Sequence, residues 1–353
     1  NKTQERHLFG DMYERLLRDL QAAGNAGEFY TPRAVTEFMV RMINPKLGEK
    51  ILDPACGTGG FLTSSIDFIR NNEVKTPEDE LILQTNINGV EKKPMPHLLC
   101  TTNMILHGID VPSNIKHDNT LARPFISWGP DERMDVVVTN PPFGGNEEDG
   151  IETNFPNTFR TKETADLFVV LIIQLLKNNG RAALVLPDGF LTGDGVKMRI
   201  KEKLLNECNL HTIVRLPKSV FAPYTSIKTN LLFFTKGKPT KDVWFYQQNL
   251  PDGVVSFNKT NPLKIDNLKD LIYWWGNEKD NFYNRKKNQF AWKINIEEIK
   301  SKNYDLDFKN PHTEKLEIVD PKKLISDYKN ELIDIQSLRD ELKAAITNAL
   351  KDT

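Results

Sequence analysis

Cysteine is scarce in this chain: Cys56, Cys100 and Cys208 are its whole complement over 353 residues, odd in number and widely spaced. That excludes a disulfide framework and fits a reducing compartment, so a cytoplasmic setting is expected. Long hydrophobic runs are also missing. None approaches the roughly 18–20 apolar residues that a membrane span requires. The chain opens on Asn1 in polar sequence, with no apolar signal segment in view. Net charge is almost absent, with 48 acidic residues against 47 basic. A protein that grips nucleic acid unaided usually carries a basic excess, because phosphate neutralisation supplies most of the affinity. The balance leaves nucleic acid open and points to a partner that shares the grip. His7, His97, His107, His117, His211 and His312 show no ligand spacing, so no metal site is expected. Internal repeats and low-complexity tracts are lacking too.

What is present suits a globular α/β chain: 39% hydrophobic and 27% charged residues, enough for one large core and a smaller appendage. Residues 1–26 read as a helix, with Leu8, Tyr13, Leu16, Leu17 and Leu20 at helical spacing and Gly24 and Gly27 as its stop. A second helix follows Pro32, with Thr31 as its N-cap and Val35, Phe38, Met39 and Met42 as its apolar stripe. Strand and helix signals then alternate. Strands are expected at Lys50–Leu52, Ile87–Val90, Met134–Thr139, Arg181–Leu186 and Thr212–Leu216, and Lys228–Thr235 closes the set as an edge element. Helices are expected at Gly60–Arg70, Met95–His107, Asp166–Lys177 and Met198–Cys208. Strands apolar throughout, separated by amphipathic helices, imply a doubly wound, mostly parallel sheet covered on both faces. Lys236–Asp242 marks a boundary. Residues 241–319 read as a small irregular region containing Trp244, Tyr273, Trp274, Trp275 and Trp292. Residues 320–353 open with Asp320-Pro321 and form a long helix, with Tyr328, Leu332, Ile335, Leu342, Ile346 and Leu350 on one face. That face either packs on its own domain or pairs with a partner subunit.

Two motifs carry chemistry. In Ile51-Leu52-Asp53-Pro54-Ala55-Cys56-Gly57-Thr58-Gly59-Gly60-Phe61 a strand runs into a glycine-rich turn that opens a helix. Glycine permits close approach of a ligand to the backbone, and the helix start offers free N–H donors. A P-loop would need Gly-Lys-Ser/Thr, and no lysine follows these glycines. A dinucleotide fingerprint would need glycine or alanine where Leu62 stands. The remaining fit is a nucleoside cofactor without phosphates. Glu91, closing the next strand, is placed to hold ribose hydroxyls. Its distance from Asp53 exceeds the usual roughly 20 residues, which implies a polar insertion around Asn71–Asn86.

The second motif is Asp135-Val136-Val137-Val138-Thr139-Asn140-Pro141-Pro142-Phe143, which puts Asn-Pro-Pro-Phe at the carboxyl end of a buried strand. Open α/β sheets hold their active sites there. The amino nitrogen of adenine is a poor nucleophile because its lone pair is delocalised into the ring. Two acceptors for its N–H bonds, the Asn140 side-chain oxygen and the Pro141 carbonyl, would localise that pair toward a methyl donor. Successive prolines stiffen the acceptor geometry. Phe143 offers a face for a flipped base, a stack worth about 1–3 kcal/mol. The target atom lies inside a duplex, so base flipping is required. The loop 144–163 beside this turn reads as a functional segment able to order on DNA.

Together these residues resemble the N6-adenine DNA methyltransferases, most closely the modification (methylase) subunit of type I restriction–modification systems. Gly10-Asp11-Met12-Tyr13-Glu14 is similar to that family's helix before the cofactor segment. Gly27-Glu28-Phe29-Tyr30-Thr31-Pro32-Arg33 is similar to the segment closing over the methionine part of the cofactor. His117-Asp118-Asn119-Thr120-Leu121, Gly180–Leu191 and Ile213–Lys236 follow the family as well, so residues 10–236 are covered closely and the tail loosely. The resemblance implies a class I, Rossmann-like S-adenosylmethionine methyltransferase domain over 27–240, a remnant of a larger helical N-terminal domain over 1–26, and a C-terminal helical extension. It implies S-adenosylmethionine as cofactor, held by Glu28, Tyr30, Thr31, Pro32, Asp53, Cys56, Gly57, Thr58, Gly59, Glu91, Asp118 and Asn140. The catalytic set is Asn140, Pro141, Pro142 and Phe143. The implied partners are DNA with its adenine flipped from the duplex, a specificity subunit and a motor-nuclease subunit.

Three other functions stay open on the residues alone. A stand-alone adenine methylase would carry its own recognition region, for which the tail after Asp242 leaves little room. A protein glutamine methyltransferase faces the same lone-pair problem but has tyrosine where Phe143 stands. A non-catalytic assembly scaffold would have no use for an intact Asn-Pro-Pro-Phe.

Overall fold

The structure, a computed structural model, describes residues 31–222, 225–258, 260–280, 282–313 and 321–349. The helix expected over 1–26, Glu28 and Tyr30 lie outside the described residues. Two compact units divide the chain, residues 1–311 and 312–353.

In the first unit the chain begins with helix α1, Arg33–Ile43, whose N-cap is Pro32 with no side-chain cap. The Thr31 hydroxyl, expected to cap it, is used elsewhere. Strand β1 (Ile51–Asp53) feeds α2 (Gly60–Asn72), and α3 (Pro77–Asn86) precedes β2 (Ile87–Glu91). The polar insertion expected around Asn71–Asn86 is therefore largely this helix. Thr76 and Asp79 close a reciprocal capping box around it, and Pro77 stands in its first turn. Helix α4 (Pro94–Leu106) leads to β3 (Ile115–His117), and then comes β4 (Met134–Thr139). Helix α5 (Thr164–Leu175), β5 (Leu176–Pro187), α6 (Val196–Glu207), β6 (Cys208–Arg215), β7 (Thr229–Lys236), β8 (Asp242–Gln247) and β9 (Ala291–Asn295) complete the sheet.

The strand order is β3-β2-β1-β4-β5-β7-β6-β8-β9. Pairing is parallel from β3 through β5. Strand β7 inserts antiparallel between β5 and β6. This corrects the expectation of an edge strand: β7 is central, and its residues from Thr229 through Phe234 are all buried. Residues 241–319, expected to be irregular, contribute β8 and β9 to the same sheet, with Phe245 stacked on Trp292 at 5.5 Å between ring centres.

Alternation along the strands divides the core in two. Ile51, Val136, Val138, Ala183 and Val185 face α1, α2 and α4. Leu52, Val137, Ala182, Leu184 and Leu186 face α5 and α6. Both faces of the sheet are thus buried, as continuous apolar strands require. Strand order reverses between β1 and β4, which opens the crevice at their carboxyl ends where such sheets bind ligands.

The second unit contains helix α7, Pro321–Ala349. It starts at the proline expected to open it. Tyr328, Leu332, Ile335 and Leu342 are all exposed along it.

Candidate active site

The crevice between β1 and β4 gathers both motifs. Gly57 and Gly59 adopt left-handed backbone angles, φ 54° and 87°. At Gly59 a Cβ would lie 2.8 Å from Cys100 Sγ, so only glycine lets α2 approach α4 there. At Gly57 nothing among the described residues lies within 4 Å of a Cβ position, so that side of the turn is open among them. The turn is tied to β2 by Glu91, whose two oxygens accept from Gly57 N at 2.9 Å and Lys93 N at 2.8 Å. Asp118 N donates to the Glu91 carbonyl, and the exposed Asp118 carboxylate accepts from Asn119 N. Asp53, Glu91 and Asp118 therefore stand at the carboxyl ends of adjacent strands β1, β2 and β3. Thr58 is held through its carbonyl, which accepts from Asn103 Nδ2 at 3.0 Å. The N-cap of α2 is Gly59, which has no side-chain cap bond. The Cys56 side chain points into the core, its Sγ 3.7 Å from that of Cys100. The hydrogen bond to Cys100, reinforced by burial, pushes its thiol well up from the usual range, so Cys56 is no reactive thiolate.

Beside the turn, Asn140 Nδ2 donates to Thr31 Oγ1 at 2.9 Å. Its Oδ1 is buried and has no hydrogen-bond partner among the described residues. A buried acceptor left open costs free energy unless a ligand satisfies it. Pro141 is buried and Pro142 exposed. Phe143 is buried, with its ring edge-on to Phe221 at 6.4 Å and 85°. A base stacking on Phe143 would have to enter beside that edge. Thr31 and Pro32 thus join Asn140 and the glycine turn at one crevice.

Asp53 is buried, and desolvation pushes its carboxyl up to about 7, against hydrogen bonds from Thr139 and Ala55 that lower it; the Glu91 charge raises it further. A carboxyl whose folded pKa is raised stabilises the fold below its unfolded pKa. That contribution is lost as pH rises toward the folded value. Asp53→Asn is therefore expected to melt above the wild type at pH 8 and level with it near pH 4. Thermal unfolding across that range checks this, and equal melting at pH 8 would sink it.

The basic cluster of α6 is engaged internally. Lys197 pairs with Glu163 and Asp166, and Arg199 donates to the Thr158 carbonyl. The buried Lys201 ammonium donates to the Leu191 and Gly193 carbonyls, and Lys203 pairs with Glu207. Arg285 is buried too, donating to Thr212 Oγ1 at 2.7 Å and lying over Phe282. These cations hold the fold together. The loop 144–163 is pinned by several of them and by Asn154, which donates to the Leu121 and Ala122 carbonyls.

The fold is that of a class I methyltransferase. It is shared with a solved protein from Listeria monocytogenes assigned as a class I S-adenosylmethionine-dependent methyltransferase, 18% identical, TM-score 0.53, covering 76% of each chain. The description N-6 DNA Methylase belongs to the family model that matches residues 4–318, and the chain belongs to that family. Over 350 residues it is 60% identical to the type I restriction enzyme EcoEI methylase subunit of Escherichia coli, covering 99% of this chain and 71% of the relative. A crystal structure of a modification subunit assigned to a type I restriction enzyme from Vibrio vulnificus YJ016 superposes with TM-score 0.80 at 45% identity, covering 89% of this chain and 66% of that one. Both of these relatives are longer than this chain.

Proposed function

We propose that the chain transfers a methyl group from S-adenosylmethionine to N6 of adenine in DNA, as the methylase subunit of a type I restriction–modification assembly. One observation carries the reading: the buried Oδ1 of Asn140, without a partner among the described residues, beside a glycine turn that is open among them. With Nδ2 committed to Thr31, the amide presents its oxygen to the crevice. A substrate amino group donating to Asn140 Oδ1 and to the Pro141 carbonyl has its lone pair turned out of the ring plane. Neither acceptor needs to change protonation.

The cofactor fits the turn for physical reasons. The open side of Gly57 admits a nucleoside, and Glu91 and Asp118 offer acceptor oxygens to hydroxyl and amino groups. The buried carboxyl of Asp53 suits a cationic methionine end. When bound, the cofactor supplies an electrophilic methyl group. Thr31, Pro32, Thr58 and the backbone at Cys56 and Gly59 border it, with Glu28 and Tyr30 by resemblance. The α6 cations and Arg285 are engaged inside the fold, and the near-neutral charge of the chain favours a specificity subunit that reads the DNA sequence; a motor-nuclease subunit and a cytoplasmic setting complete the reading.

The test is transfer of labelled methyl from S-adenosylmethionine to DNA with a specificity partner present. Label in N6-methyladenine supports the reading, and label in protein glutamine would replace it. Helix α7 is the proposed contact for the partner, because Tyr328, Leu332, Ile335 and Leu342 recur at steps of four, three and seven residues, along one helix face, and are exposed. Leu332→Asp with Leu342→Asp is expected to weaken assembly at least about 100-fold, since two buried apolar contacts are worth roughly 1.5–3 kcal/mol each. Cofactor affinity should stay unchanged. Co-purification and calorimetry read both, and intact assembly would remove α7 from the interface.

A further inference from the structure

We infer that Thr139 is a positioning residue, whose hydroxyl ties the cofactor turn to the base-holding turn by donating to Asp53. The inference rests on the cofactor reading above. Thr139 is the last residue of β4, fully buried and adjacent in sequence to Asn140. Its Oγ1 lies 2.6 Å from Asp53 Oδ1. The same Oδ1 accepts from Ala55 N at 3.1 Å, at the start of the glycine turn. One carboxylate oxygen therefore joins the end of β1, the turn that follows it and the end of β4, across the point where strand order reverses.

Packing does not call for a hydroxyl here. Val136, Val137 and Val138 precede it, and valine has nearly the volume of threonine. What the hydroxyl adds is a donor aimed at a buried carboxylate. That donor favours the ionised carboxylate, against burial and against the neighbouring charge of Glu91 on β2. Among the other titratable groups, Cys56 in the turn is a neutral thiol, Thr139 at the end of β4 is uncharged, and Asp135 near the start of β4 is paired with Lys177. On α2, Asp67 and Arg70 are engaged with Arg33 and Glu80. An ionised Asp53 serves a positively charged ligand, and the bond that keeps it ionised also fixes the backbone from which Asn140 projects.

The experiment measures S-adenosylmethionine affinity by calorimetry from pH 5.5 to 9, and methyl transfer in the assembled complex, for wild type, Thr139→Val and Thr139→Ser. Loss of one hydrogen bond to a carboxylate is expected to move the acidic limb of the affinity profile up by about one pH unit in Thr139→Val. Its kcat should fall roughly tenfold, as for a modestly misplaced catalytic group. Thr139→Ser should restore both. In an Asp53→Asn background, Thr139→Val should move no limb. Should the valine variant fail to fold, Thr139→Ala gives the same reading. A folded valine or alanine variant whose profile overlays wild type, or a serine variant that restores nothing, overturns the inference. Wild-type protein that binds no S-adenosylmethionine at any pH removes the cofactor reading itself, a different failure.

Discussion

Asn140→Ala is expected to lower kcat for methyl transfer by roughly 10²–10³-fold, the range seen when one preorganised polar contact to a reacting group is lost. Affinity for S-adenosylmethionine should change by no more than about threefold, because an acceptor aimed at the substrate amino group leaves the glycine turn intact. The structure supports this split. Asn140 contacts Thr31 through Nδ2, whereas the turn is fastened independently by Glu91 and Asn103. Removing the amide deletes the open acceptor and leaves the Pro141 carbonyl as the sole partner of the amino group. Asn140→Asp keeps an acceptor at the same place and should retain more activity than alanine. Single-turnover transfer with labelled cofactor, beside calorimetry of the same variants, separates the two effects. An alanine variant above one tenth of wild-type kcat would show that this oxygen does not orient the amine. A matching collapse of cofactor affinity would move Asn140 from the substrate side to the cofactor side.

The sequence carried the centre of this fold more fully than its margins. Strand β4 coincides with its expected bounds because the buried Val136-Val137-Val138 run leading into Asn-Pro-Pro admits few other readings. Strand β7 was legible as a strand but not in its position. A run as apolar as Asn230-Leu231-Leu232-Phe233-Phe234 belongs between neighbours, yet periodicity alone does not say which. Strands β8 and β9 were hidden because Trp244 and Trp292 are half polar and sit among loop residues, so the alternation is weak. Strand β3 has only three residues, too few for any pattern.

The site shows the same limit. Asn140, Gly57 and Glu91 announce themselves through residue type and place in the chain. The hydroxyls of Thr31 and Thr139 do not. Thr31 reads as a helix cap and Thr139 as one more β-branched strand residue. Only three-dimensional placement shows that one meets Asn140 and the other Asp53. The basic cluster of α6 is the converse case. Four cations close together in the chain could serve phosphates, but partners 4–41 residues away along the chain absorb them.

The two turn glycines should fail in opposite ways, and the contrast locates the cofactor. Gly59→Val forces a branched side chain against Cys100 Sγ and Met104 Cε, 2.8 and 3.0 Å from its Cβ, in the buried seam between α2 and α4. Overpacking of about 1–3 kcal/mol adds to roughly 1–2 kcal/mol of left-handed strain, so the loss appears first as a lowered melting temperature. Gly57→Val carries the strain without the clash, because nothing among the described residues lies within 4 Å of its Cβ position. Its fold should survive, while S-adenosylmethionine affinity falls at least about 100-fold, the effect of losing some 2.7 kcal/mol of binding. Thermal unfolding with and without cofactor distinguishes the pair: ligand should raise the melting temperature of wild type and leave that of Gly57→Val unmoved. Wild-type affinity in Gly57→Val would mean that the open side of the turn faces away from the cofactor. The carboxylates at the ends of β1, β2 and β3 would then have to be reassigned to holding the fold.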